Sequence, residues 1–78
     1  MKEQFINVLN KTNPAILKNE SKDLIDENII ESLDIMNLVA ELEETFEIEF
    51  EPEDISPENF STVAAIEALV NLRIEETK

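Results

Sequence analysis

The sequence predicts an all-α fold, a small four-helix bundle of three longer helices and one short helix with a long first loop. Three observations lead there. Apolar residues recur at helical spacing in three separate stretches. No stretch alternates apolar and polar residues convincingly enough to make a strand. Glycine is absent, so no flexible hinge interrupts the periodic segments. With 78 residues, 42% of them hydrophobic, the chain has room for a single domain over 1–78 and a single core. So short a domain buries little surface per residue, and with neither Cys nor His it has no disulfide and none of the usual soft metal ligands as a staple. Helix packing alone must hold it together.

Residues 2 to 12 carry Phe5, Ile6, Val8, Leu9 and Thr12 at helical spacing, and Asn13-Pro14 ends this first helix because the residue before proline avoids the α region. From Asn13 to Glu31 no period is sustained. This stretch reads as a long connection pinned to the helices by Leu24, Ile25, Ile29 and Ile30. A second helix runs from Ser32 to about Glu47. On a wheel of about 100° per residue, Ile35, Leu38, Val39, Leu42 and Phe46 share one arc and face the core. Asp34, Asn37, Glu41, Glu44 and Glu47 lie opposite, with Leu33, Met36 and Ala40 set among them. Glu51-Pro52-Glu53-Asp54 is a turn-like break, and Ser56 to Phe60 reads as the short helix, Ser56 capping it and Pro57 at its first position. Ser61-Thr62 caps the last helix, whose inner face is Val63, Ile66, Leu69, Val70 and Ile74. Glu67, Asn71 and Arg73 are expected to point elsewhere.

Charge is the next constraint. Asp and Glu number 19 against 6 Lys and Arg, a formal net charge of −13, and no Lys or Arg occurs from Asp23 to Leu72. Nucleic acid is excluded as a partner, since phosphate binding depends on Lys and Arg. Basic protein surfaces are the natural counterparts. The N-terminal Met1-Lys2-Glu3-Gln4-Phe5 does not resemble a signal peptide, and no apolar run approaches the ~18 residues of a membrane span. A soluble, cytoplasmic monomer is expected.

Most catalytic chemistry can be struck out. Without His or Cys there is no Ser-His or Cys-His pair, and without Gly no phosphate-cradling loop or EF-hand turn, so neither an enzyme nor a metal site is expected. Ser32 remains. One reading makes it a helix N-cap, weakened because a capping box needs Glu or Gln where this chain has Ile35. The other makes its hydroxyl an attachment point, where free backbone N–H groups and the positive end of the helix dipole favour a phosphodiester. On the outer face, Leu33 and Met36 supply apolar contact and the carboxylates supply steering toward a basic partner.

Glu31-Ser32-Leu33-Asp34, with the amphipathic run behind it, resembles the modification site and second helix of acyl carrier proteins. The likeness extends from about Leu24 to Val70. It implies a non-catalytic four-helix carrier with 4'-phosphopantetheine attached to Ser32 by a phosphopantetheinyl transferase, and acyl groups held as thioesters on the arm. By the same likeness Leu33, Asp34, Met36, Glu41, Glu43, Glu44 and Glu47 form the surface that partner enzymes recognise. Glu31 stands where most members have Asp, and Asn37 where a carboxylate is frequent. Leu42, Phe46, Ile55, Val63 and Ala64 are candidates to shelter an acyl chain, or are ordinary core. A carrier of aminoacyl or D-alanyl groups would use the same serine. An acidic helical interaction module without a prosthetic group is the alternative in which Ser32 is only a cap.

An acidic field of this density opposes compaction. Added sodium chloride should raise the melting temperature by screening it, and magnesium should do so at lower concentration. A melting curve indifferent to both would contradict this.

Overall fold

The computed structural model describes residues 2–20 and 22–77. In chain order it contains helix α1 (Lys2–Thr12), a single-turn helix α2 (Ala15–Lys18), α3 (Ser32–Phe46), one 3-10 turn (Pro52–Asp54) and α4 (Val63–Thr77). No strand occurs among the described residues. The three long helices enclose one core built from Phe5, Val8, Leu9, Leu38, Leu42, Ile66, Leu69 and Val70, to which the connecting segments add Ile16, Leu24, Ile30, Ile48, Phe50 and Phe60.

The long helices fall where periodicity placed them. Leu38 and Leu42 are fully buried, with Ile35, Val39 and Phe46 packed at the edge of the core, which is the arc drawn from the wheel. On α4, Ile66, Leu69 and Val70 are buried, and Thr62 Oγ1 accepts the Ala65 N–H at 3.1 Å as the predicted cap. Helix α3 ends at Glu47, which takes a left-handed conformation with φ 55° and donates its N–H to the Glu43 carbonyl. That role usually falls to glycine, and none exists here.

The connections depart from expectation. Inside the first loop lies α2, which no period announced because a single turn has none. Asn13 organises it: its N–H donates to the Leu9 carbonyl at 2.9 Å, its Oδ1 accepts the Ala15 N–H at 3.0 Å, and its carbonyl accepts the Ile16 N–H at 3.0 Å. Ile16 is thereby driven into the core. Further on, Leu24 is fully buried and hydrogen-bonded in both directions. Its N–H reaches the Ser61 carbonyl at 2.6 Å, and its own carbonyl accepts the N–H groups of Ile29 at 2.8 Å and Ile30 at 3.1 Å.

The short helix expected over Ser56–Phe60 is not there. The helical turn is Pro52–Asp54, and residues 55–62 form turns and bends. Asn59 and Phe60 donate only to the carbonyls three residues back, Ser56 at 3.1 Å and Pro57 at 3.3 Å, so no α-helical ladder starts. Phe60 is instead pulled into the core, edge-on to Phe50 with ring centroids 6.4 Å apart.

Arg73 also corrects its expectation, since it does not point away. Its side chain is 17% exposed, and Nη2 lies 2.7 Å from each oxygen of the Asp54 carboxylate, while Nη1 bonds Glu76. Asp54 is itself 7% exposed, and its Oδ2 accepts the Glu51 N–H at 2.8 Å, which stabilises the 3-10 turn. The hydrogen bond from Arg73, reinforced by that from the Glu51 N–H and by the guanidinium charge, lowers the Asp54 carboxyl below its ordinary 3.8 against the opposing effect of burial.

Well above pH 3.8 Asp54 is ionised in both folded and unfolded chains and its stabilisation is complete; below 3.8 the unfolded chain takes up the proton first, and the contribution drains away as pH falls through the lowered folded value. Asp54→Asn should therefore cost about 2 kcal/mol at neutral pH, roughly 10 °C in Tm for a domain of this size. The gap between variant and wild type should close as the pH is taken into the acid range. Melting curves across pH that remain parallel would contradict the assignment.

Candidate functional site

Ser32 is the first residue of α3. The N-cap is Glu31, whose backbone is extended, and the Glu31 N–H donates to Asp34 Oδ2 at 3.1 Å, the reach-back half of a capping box. The cap reading of Ser32 is thus corrected by one position, and the pair Glu31 and Asp34, three residues apart, was its overlooked signal. Freed from capping, the Ser32 side chain is exposed and makes no hydrogen bond with any described residue. Leu24 fixes where this helix begins by holding Ile29 and Ile30, and Asn13 Nδ2 donates to the Ile29 carbonyl at 3.0 Å from the end of α1.

Beside Ser32 runs an apolar groove of about 250 Å³ between α3 and the segment after the 3-10 turn, lined by Ser32, Ile35, Met36, Ile55, Ser56 and Pro57. A group attached to the hydroxyl therefore has the N-terminal turn of a 15-residue helix beneath it and an apolar trough alongside. Glu31 and Asp34 oppose an anion there but do not occupy the hydroxyl. Of the residues considered for sheltering a chain, Ile55 lines this groove; Leu42 is fully buried core, Phe46 and Val63 pack at its edge, and Ala64 is exposed.

The outer face of α3 forms a stripe. Leu33 is 68% exposed and Met36 67%, and Asn37, Ala40, Glu44 and Glu47 continue it toward the C-terminus, all exposed. Such large apolar side chains left in water next to Ser32 suit a contact surface. The other candidate carboxylates have occupations of their own. Asp34 serves the cap. Glu41 is half-buried and pairs with Lys11 Nζ at 3.3 Å. Glu43, also half-buried, accepts the N–H of buried Phe50 at 2.9 Å and so ties the end of α3 to the segment that follows. Neither link has a local sequence signal, since each joins residues from different elements.

No group of three or more metal-ligating side chains converges among the described residues. No helix among them is long and apolar enough to cross a membrane.

A family model described as phosphopantetheine attachment site matches residues 2–70. No curated protein and no solved structure matches the chain.

The two neighbouring carboxylates Glu43 and Glu44 should separate in their effect on stability. Glu43→Ala leaves the part-buried Phe50 N–H without its acceptor and should cost about 1–2 kcal/mol. Glu44→Ala should stay within about 0.5 kcal/mol. Equal urea midpoints for the two variants would contradict the hydrogen-bond assignment.

Proposed function

The chain belongs to the phosphopantetheine attachment site family, and from that premise we propose that Ser32 takes 4'-phosphopantetheine and that the chain carries acyl groups in fatty acid or related acyl-chain biosynthesis. Members of this family are carriers and not catalysts: a phosphopantetheinyl transferase attaches the prosthetic group, and partner enzymes act on the cargo. The observation that carries the assignment to Ser32 is an exposed hydroxyl, unused by the helix cap, at the first position of α3 and on the rim of an apolar groove.

In this reading the Ser32 oxygen forms an ester bond to the phosphorus that bears pantetheine in coenzyme A. The pyrophosphate bond breaks, adenosine bisphosphate leaves, and the hydroxyl proton passes to the transferase. Once attached, the arm supplies a thiol that holds acyl groups as thioesters. The chain contributes placement, because Ser32 sits on a helix whose start is clamped by Leu24 and Asn13. A short tether from such a point raises the local concentration of cargo to the millimolar range at whichever enzyme has docked, an order of magnitude typical of flexible linkers. Ile35, Met36, Ile55 and Pro57 favour a hydrocarbon chain over a charged aminoacyl group, which would gain nothing from an apolar trough.

Partners with basic surfaces would meet the stripe of Leu33, Met36, Glu44 and Glu47, with Asp34, Glu41 and Glu43 on its margins. The exchange is assigned to a monomer in the cytoplasm, compatible with a chain that has no cysteine to oxidise.

Intact mass after incubation with coenzyme A, magnesium and a broad-specificity transferase should rise by one phosphopantetheinyl group, and Ser32→Ala should show no gain. A gain that survives in Ser32→Ala would overturn the assignment, as would none in the wild type. Fatty acyl ligases should load the arm in preference to amino acid ligases; the reverse order would overturn the cargo. Glu44→Lys and Glu47→Lys should lower transferase kcat/KM about tenfold at low salt and flatten its salt dependence. Unchanged kinetics would place docking on another face.

A further inference from the structure

One wall of the groove beside Ser32 is α3, which the core holds rigidly through Leu38 and Leu42. The opposite wall, Ile55 to Pro57, is a loop with two anchors. At its far end Phe60 is fully buried. At its near end stands Asp54, and the Asn59 Nδ2 donates to the Asp54 carbonyl at 2.8 Å, so the loop closes back on that residue. Asp54 is in turn joined to the last helix by Arg73, with 2.7 Å separations to both carboxylate oxygens. Ile55, immediately after Asp54, is 44% exposed and faces the groove.

We propose that Arg73 is a positioning residue for this wall: by holding Asp54 it sets how far Ile55–Pro57 stand from α3, and thereby how well an acyl chain carried on Ser32 is sheltered from solvent. The cargo part of this inference rests on the carrier reading above. A carboxylate inside the fold stays there only while paired. Without the guanidinium, Asp54 is left with the Glu51 N–H on one oxygen and gains by turning the carboxylate outward to water, and Ile55 and the loop closed by Asn59 move with it. Phe60 keeps the far end in the core, so the wall swings and the bundle does not come apart. A residue on α4 that lines no part of the groove thus governs its width.

Arg73→Met keeps the aliphatic stem that packs on the bundle and removes the charge. In the unmodified full chain, hydrogen exchange at the Ile55, Asn59 and Phe60 amides should quicken by about tenfold or more in this variant. Amides in the middle of α1 and α3 should keep their wild-type rates. Arg73→Lys, which retains the charge but not the fork, should fold as the wild type does and give intermediate exchange at the same amides. With the arm loaded, hydroxylamine should cleave an octanoyl thioester severalfold faster in Arg73→Met than in wild type. An acetyl thioester, which has no hydrocarbon chain for the groove to shelter, should react at the same rate in both.

Unchanged exchange at the wall amides in both variants would overturn the proposal. So would equal acceleration of the acetyl and octanoyl thioesters, which reports general loosening and not a moved wall. A wild-type chain that accepts no arm would overturn the carrier reading and the cargo part together. That result differs from a failed latch, in which the arm loads normally and the thioesters ignore Arg73.

Discussion

The two-way anchoring of Leu24 is the constraint on which the arrangement depends. A glycine-free connection has to bring α1 around to α3 while satisfying its own backbone polar groups. Leu24 does this from inside the core. Its N–H is taken by the Ser61 carbonyl just before α4, and its carbonyl by the two residues leading into α3. The loop is therefore a clamp between the beginnings of two helices. Asn13 adds the third side by reaching from the end of α1 to Ile29. The turn between them uses Asn28 at φ 56°, and Asn is among the few non-glycine residues that enter the left-handed region at little cost. Because the clamp ends at Ile30, the first helical position falls on Ser32, and a hydroxyl that would otherwise fray with its loop stands on a defined helix end.

The same chain faces an electrostatic problem, a net charge of −13 on a small core. Part of the answer is that several carboxylates are put to work as hydrogen-bond acceptors where the backbone lacks partners. Asp23 Oδ1 accepts the N–H groups of Ile25 and Asp26, Asp34 caps α3, Glu43 receives Phe50, and Asp54 receives Glu51. Each such bond offsets some of the repulsion that its charge adds. Two exposed carboxylates, Glu44 and Glu47, instead lie on the outer face of α3 with Leu33 and Met36. What looks in the sequence like a uniform acidic field is therefore divided into carboxylates that bond the backbone and carboxylates that face solvent.

These two parts meet at the groove. Its fixed wall is the helix that carries Ser32, and its other wall hangs from the Asp54–Arg73 pair. A small all-helical bundle has few places where a chain segment can move without exposing the core. A loop held by the Asp54–Arg73 pair, a few local hydrogen bonds and one buried phenylalanine is such a place, and here it lies beside Ser32.

The three long helices, the inner arc of α3, the exposed Leu33 and Met36, and the candidacy of Ser32 were all legible in the chain, because side chains three and four residues apart share a helix face and the pattern is local. Tertiary structure alone decided the rest. Glu31 and not Ser32 caps α3, a one-residue difference that periodicity cannot resolve but hydrogen-bond geometry can. The short helix sits at Ala15–Lys18, while Ser56 to Phe60 is turns, because burial of Ile16 and Phe60 overrides local capping preference. Arg73 turns inward to an aspartate nineteen residues away, and Glu43 inward to Phe50. Such pairings are selected by which groups the packed helices bring within reach, and a linear pattern of charges contains no record of that distance.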